Sequence, residues 1–305
     1  MRTSLFVFGL AIGACGGGGS GGNPGDDTVD APTALVDGTA ADGWTALISR
    51  SWTLPAGATN TYKCTRIRIA NEMWVAGFRA ASPPGTHHSV LTISTSSTTT
   101  GDYDCSAGSL DNQMLYAAGV GTDDLEFPAG VAMHVAAGTF LNLNLHLFNA
   151  TDDPMADTSG VLVKIVAQAD VVNEADMMFS GTPLINIPSD NQPHTAQGGC
   201  TAPTNWHVFT LWPHMHQTAT HQKWTLTHNG TQTVLLDDNY QFEEQKNYPI
   251  ADTLIAQGDT IRTTCTYVNN TGSTMTFGDG SDKEMCFTGM YKYPAGGSLF
   301  QCAGL

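Results

Sequence analysis

The sequence predicts an all-β protein arranged in two halves, on three observations. Gly, Ser, Thr and Asn are plentiful, a mixture that favours strands and turns over helices. From Trp44 onward the apolar residues come in short runs punctuated by Gly, Pro, Asn and Asp, the pattern of sandwiches and barrels. No stretch carries a helical period for more than about two turns. In chain order the strand candidates of the first half are Lys63–Ile69, Met73–Ala80, Ser89–Ser94, Thr139–Phe148 and Gly160–Ala167, with a turn-rich insert at Ser97–Gly130. A second series follows at Met177–Ile187, His207–Thr210, Lys223–His228, Thr233–Asp237, Thr260–Val268 and Met285–Tyr293. The halves meet between Gln168 and Ala175, and no short-period repeat stands out.

At 305 residues the chain is long enough for two ordinary domains or one large β domain. Its formal charge of −16, with 12 Lys and Arg, argues against a nucleic-acid surface or attraction to anionic lipid. Arg2 and the short apolar run Leu5–Ala11 read as a targeting segment, too short to span a bilayer. Ile12-Gly13-Ala14-Cys15 resembles a bacterial lipobox, which makes residues 1–15 a signal peptide and Cys15 the lipidated residue. An ordinary secretory signal is the alternative, and both readings export the protein. Residues 16–43 form a Gly/Ser/Asp-rich tether. The expectation is thus an envelope protein touching the membrane only through its lipid anchor. Six further cysteines, Cys64, Cys105, Cys200, Cys265, Cys286 and Cys302, suit disulfides in an oxidising compartment, with about fifteen connectivities open to six cysteines. The absence of a Cys-x-x-Cys pair argues against a cysteine zinc site.

The chemistry concentrates in histidines. In Trp212-Pro213-His214-Met215-His216 the two imidazoles project from one face of a strand, one pleat apart, where a single metal can use both. His87-His88 follows Pro83-Pro84-Gly85-Thr86, and adjacent residues share a metal only at a turn or bulge, which that Pro-Gly run makes plausible. In the alternating run Leu141–Asn149, the leucines face the core while Asn142, Asn144 and His146 share the polar face. Met285, next to Cys286, offers a thioether; this soft ligand favours Cu(I) and is rarely recruited by zinc or calcium. His134, His194, His207, His221 and His228 read as surface or hydrogen-bonded groups, with His221 close enough to His216 for a supporting role.

Taken together, His87-His88, His146 in its Leu-Asn-Leu-His context, His214-Met215-His216 and Glu284-Met285-Cys286 resemble the copper type II, ascorbate-dependent monooxygenases. This family includes the peptidylglycine α-hydroxylating and dopamine β-type enzymes. The resemblance runs from about Met73 to Cys302, with supporting matches at Trp74–Phe78 and Phe127–Val131. It implies two tandem jelly-roll-like antiparallel β-sandwich domains, residues 44–170 and 171–305, and two copper ions per chain. His87, His88 and His146 would hold an electron-transfer copper. His214, His216 and Met285 would hold the copper that handles O2. The implied reaction hydroxylates a C–H bond of a small organic substrate with O2, the second oxygen atom leaving as water. Ascorbate or a similar one-electron donor would restore both metals. The implied disulfides are Cys64–Cys105, Cys200–Cys302 and Cys265–Cys286.

Departures from the family narrow the substrate. Where the peptide-amidating branch carries an arginine for the substrate carboxylate, this chain has Trp212, and its helper tyrosine and asparagine are replaced by Gly289 and Phe287. An apolar pocket lined by Trp212, Phe287 and Asn144 has nothing to pair with a buried carboxylate, which costs several kcal/mol. The sequence therefore predicts a neutral or aromatic small molecule. The rivals are a copper-binding envelope lipoprotein without catalysis, a zinc hydrolase using His214 and His216, and a binding-only sandwich without metal.

Overall fold

Each half forms eight main strands, and the same strand order appears twice. In the first half these are β1 (Trp44–Leu54), β2 (Thr61–Arg68), β3 (Met73–Ala81), β4 (Thr86–Ser94), β5 (Gln113–Gly119), β6 (Val131–Val135), β7 (Phe140–Leu147) and β8 (Met155–Val166). The second half gives β9 (Asp176–Thr182), β10 (Pro193–Thr201), β11 (Trp206–His214), β12 (Ala219–His228), β13 (Thr231–Asn239), β14 (Tyr248–Ile255), β15 (Thr260–Val268) and β16 (Cys286–Tyr293). These strands belong to a computed structural model that describes residues 42–304 except 59, 110–112, 243 and 281. Cys15, the signal segment and the tether up to residue 41 lie outside the described residues. Among the described residues there is no α-helix, only a 3₁₀ turn at Gln168–Asp170 between the halves.

The first half pairs its strands as β1-β8-β3-β6 and β2-β7-β4-β5, and the second as β9-β16-β11-β14 and β10-β15-β12-β13. Counted within each half, both read 1-8-3-6 and 2-7-4-5, the order of a jelly roll, with every one of these pairings antiparallel. In the first half Phe78 and Val161 from one sheet meet Leu91 and Leu143 from the other in a single core, and all four are fully buried. That core runs on through Phe127, Phe209 and Tyr291 into the second half, and the described residues pack as one unit.

Backbone turns repeat as well. Gly138 and Gly258, both at positive φ, precede β7 and β15 and donate to Ile69 and Ala202 carbonyls at 2.8 and 2.9 Å. Only a residue without Cβ adopts that conformation cheaply. After the same two strands, buried Asn149 and Asn269 each accept from a threonine two residues on, Thr151 and Thr271, through both its backbone N–H and its hydroxyl. Their amides then hold Pro55 and Asp153, and Ile187 and Ser273, by the carbonyls. The two Asn-x-Thr segments thus stand at the same place in both halves.

Periodicity misses five of these strands, β1, β5, β6, β10 and β14, and three of the misses have a physical reason. Residues Met114–Gly119 of β5 are all buried, so this strand inside the turn-rich insert carries no alternation. β10 and β14 contain Pro193 and Pro249, which argue against strand; both are sheet edges, where proline is tolerated. The run expected at Met177–Ile187 breaks after Thr182, at Pro183. The polar face of β7 is not a solvated face: Asn142, Asn144 and His146 are as buried as the leucines. The insert covers it, with Asn142 and Asn144 donating to Ser109 and Ser106 carbonyls at 3.3 and 3.0 Å. The Cys64–Cys105 disulfide pins that insert to β2. Cys265–Cys286 links the two sheets of the second sandwich, and Cys200–Cys302 ties β10 to the C-terminal segment.

Candidate metal centre

The first cluster grows from a bulge. In the pairing of β4 with β7 the register slips between Thr86 and His88, and His88 stands opposite His146. A bulge turns consecutive side chains toward one side, and Nδ1 of His87 lies 3.1 Å from Nδ1 of His88. Nitrogens of His87, His88 and His146 all lie within 4.8 Å of one another, close enough to hold one metal ion. His146 is fixed from behind: Tyr62 stacks on it at 4.5 Å, and Nε2 lies 2.9 Å from Oδ1 of Asn60. Its buried Nδ1 has no hydrogen-bond partner. With one nitrogen oriented by an amide and the other bare, His146 has the arrangement that metal ligands use.

The second cluster is built at the end of β11. The strand stops at His214, so His216 does not follow it on the same pleat as the sequence predicts; it lies in the turn beyond. Buried Glu284 sets that turn. Its carboxylate accepts from the backbone N–H of His216 at 2.9 Å and from the N–H and hydroxyl of Thr218 at 2.7 Å. Nδ1–H of His216 donates to the Lys283 carbonyl at 3.0 Å, and Nδ1–H of His214 to Oε1 of Gln245 at 3.0 Å. Both rings thereby present Nε2 as the free donor atom. Glu284 precedes Met285, whose carbonyl accepts from Tyr267 and whose neighbour Cys286 is in a disulfide. Met285 is held by the same segment that shapes the histidine turn.

Both clusters open on one cavity of roughly 240 Å³. His88, His146, Tyr62 and Asn144 of the first half line it together with Trp212, His214, His216, Met285 and Phe287 of the second. Burial lowers the imidazole pKa values, because desolvation disfavours the charged form. It takes His214 down to about 3 and His146 to about 4, with His216 and His87 respectively adding repulsion. His88 is pushed well below its usual value by burial and then by His146, His87, His214 and His216, so it senses both clusters. Glu284 shifts the other way: burial raises it, against its hydrogen bonds from Thr218 and His216. At neutral pH the four lowered imidazoles, His88, His146, His214 and His216, are neutral donors, the state a metal requires.

The rest of the cavity is apolar and aromatic. Phe179 packs on Trp212, Phe287 and Phe300, and Trp212 stacks on His214 at 4.8 Å. Among the described lining residues Asp279 carries the only formal charge. At Gly289 a Cβ would lie 2.3 Å from the terminal methyl of Met177 and 3.2 Å from Trp212, so a larger residue there would have to displace the methionine side chain. The other histidines all face carboxylates: His134 Glu72, His194 Asp190, His207 Asp252, His221 Asp237 and His228 Asp259. Sequence reasoning gave no role to Asn60, Tyr62, Phe242, Gln245 or Glu284. Only Glu284 had a signal, its place beside Met285.

Comparison with known proteins adds one finding on family. Residues 173–303 match the family described as copper type II ascorbate-dependent monooxygenase, C-terminal domain. No curated protein matches the chain. Among solved structures it aligns with one of the infectious bursal disease virus Gx strain, at 11% identity over 90% of this chain and 78% of that one, with a TM-score of 0.19. It also aligns with the VP2 subviral particle of that virus, at 8% identity over 82% and 72%, with a TM-score of 0.18. Likeness at that level carries no argument.

Proposed function

We propose, from the match of residues 173–303 to the copper type II, ascorbate-dependent monooxygenase C-terminal domain, that the protein hydroxylates a C–H bond of a small organic substrate with O2 and a one-electron reductant such as ascorbate. The observation that carries this reading is the shared cavity: a three-histidine cluster and a His-His-Met set open on the same space from opposite sandwiches. Residues 44–170 would hold one copper through His87, His88 and His146, and residues 171–305 another through His214, His216 and Met285. Copper supplies one-electron transfer and the activation of dioxygen. The chain's own residues hold the donors neutral, fix their orientation from behind and exclude bulk water. Methionine sulfur on one side only makes that side the better holder of the reduced ion.

The aromatic wall defines the substrate. With no lysine or arginine among the described lining residues, a carboxylate entering the cavity would lose its hydration without a counter-charge. A neutral, apolar or aromatic molecule gains from contact with Phe179, Trp212 and Phe287 instead. Three disulfides accord with an exported protein, and we place it on a bacterial envelope through lipidated Cys15. Among the described residues no helix is long and apolar enough to cross a membrane.

Oxygen uptake by the copper-loaded soluble form, with ascorbate and a panel of neutral aromatic and carboxylate substrates, tests the proposal. Uptake coupled to hydroxylation of a neutral substrate supports it. Stoichiometric copper without any coupled uptake would leave a copper-binding protein, and no stoichiometric copper would end both readings.

A further inference from the structure

One element touches both clusters and belongs to neither. Residues 240–242 and 244–247, between β13 and β14, form a strap whose Phe242 and Gln245 line the cavity. Their second-half end is anchored by Tyr240, whose N–H donates to the Thr220 carbonyl at 2.9 Å and whose hydroxyl donates to the Met215 carbonyl at 2.6 Å. Toward the first half, the carbonyl of Gln245 accepts from Gly119 N–H at 3.2 Å and from the Thr122 hydroxyl at 2.8 Å. Gly119 stands opposite His88 in the β4–β5 pairing. A Cβ on Gly119 would lie 2.9 Å from the backbone nitrogen of Gln245, so the strap sits flush on that strand. Asn247 adds a donation to the Ala117 carbonyl at 3.4 Å.

From the same residue, Oε1 of Gln245 accepts Nδ1–H of His214 at 3.0 Å, while its amide nitrogen, 3.4 Å from the Phe242 carbonyl, fixes which end of the amide faces the histidine. Phe242 places its ring 4.7 Å from His87 and 6.1 Å from His216, between the clusters. Gln245 is almost fully buried.

We infer that this strap sets the separation of the two metal clusters, and that Gln245 is its positioning residue, clamping the first sandwich by its backbone and the tautomer of His214 by its side chain. An amide oxygen can only accept, so His214 carries its proton on Nδ1 and turns Nε2 to the cavity. Partners of this kind, set behind a metal-binding imidazole, change metal affinity by about 10–100-fold when removed.

The inference rests on the copper reading for its second test but not for its first. In metal-free protein, nitrogen-15 shifts of His214 report the tautomer directly. Gln245→Ala should convert a pure Nδ1–H form into a mixture, and Gln245→Glu, which keeps the acceptor oxygen, should restore it. A pure Nδ1–H form in Gln245→Ala would overturn the positioning role, whatever the protein binds. In protein loaded with Cu(II) on both sides, the metal–metal distance by electron paramagnetic resonance should lengthen in Gly119→Ala and, less, in Thr122→Val. Gln245→Ala should weaken copper on the His214 side at least tenfold and leave the three-histidine side within twofold. Unchanged distances in both clamp variants would overturn the spacing role. Thr122→Val removes a single hydroxyl and keeps this test available if Gly119→Ala fails to fold. Wild-type protein that takes up no copper sinks the functional reading alone, and the tautomer then decides the strap's part.

Discussion

The two sandwiches share one strand order yet place their candidate metal ligands on opposite sheets. In the first, His87 and His88 on β4 and His146 on β7 lie on the 2-7-4-5 sheet; in the second, His214 and Met285 flank β11 and β16 of the 1-8-3-6 sheet. Register makes the correspondence residue by residue. The slip between Thr86 and His88 recurs between Ala219 and His221, and His221 stands opposite Thr266 as His88 stands opposite His146. Conversely, β3 and β8 slip one residue before Gly77 as β11 and β16 slip before Thr210. This places Ala81 and Thr158 where the second half has His214 and Met285. Each half thus carries its candidate ligands at one of two equivalent places and other residues at the second. Because the occupied places differ, the two clusters line a single cavity.

Removing one ligand from each half tests this most severely. His146→Ala and His216→Ala should each lower bound copper from about two to about one per chain, at separate sites, and each should cut coupled turnover by roughly a thousandfold or more, since neither metal replaces the other. Metal analysis and oxygen uptake read both effects; loss of all copper from either variant would mean one shared site rather than two. Met285→Ala should be asymmetric: Cu(I) affinity on the His214 side falls by about 10–100-fold while Cu(II) binding there changes little, because the lost donor is the soft one. Equal weakening of both oxidation states would remove the reason to assign oxygen chemistry to that half.

How much of this was legible in the sequence differs between scaffold and site. The candidate ligands could be named because four short motifs, each weak alone, together resemble those of one copper family. So could an all-β chain in two halves, from turn residues and short apolar runs. The residues that make the site work could not. Asn60, Gln245 and Glu284 reach their histidines across 31 to 86 positions of sequence, and no local pattern announces such a partner. The meeting of the clusters follows from which sheet carries which ligand, and that depends on pairing order. β5 escaped because both of its faces are buried, and β10 and β14 because their prolines are tolerated only at an edge.

Acid should act on the buried histidines of both halves in the same direction, with Glu284, raised by burial, opposing them in the second half. Each lowered histidine is neutral in the fold and binds a proton more readily when unfolded, so the unfolded chain takes up more protons below the ordinary histidine pKa of about 6.5. The stability of the metal-free protein is therefore full above that pH and declines as pH falls toward about 4 and 3, where His146 and His214 titrate in the fold. Each such histidine contributes up to about 1.4 kcal/mol per pH unit across that window. Chemical denaturation at pH 7, 5.5 and 4.5 reads the slope, and a flat profile would mean the histidines are more hydrated than their burial implies. The paired asparagines probe the turn that both halves share. Asn149→Ala and Asn269→Ala each strand carbonyls and a threonine at the same turn, and each should cost about 3 kcal/mol. Costs differing by more than about twofold would show that only one of the turns still supports its sandwich.

The smallest expected effect is the one that isolates the comparison. His221 occupies the place in the second sandwich that His88 holds in the first, but its neighbours there are Thr220 and Thr266, and its Nε2 lies 2.9 Å from Asp237 on the partly exposed surface. A lone imidazole paired with a carboxylate that also meets Lys223 is an ordinary surface ion pair, worth at most about 1 kcal/mol. His221→Ala should therefore leave copper content and turnover at wild-type levels and shift stability by about 0.5 kcal/mol. His88→Ala, the same substitution at the equivalent position, should empty one metal site. If His221→Ala also released copper, the second sandwich would hold a working counterpart of the first one's site, and ligand placement on opposite sheets would no longer explain why the two clusters meet in one cavity.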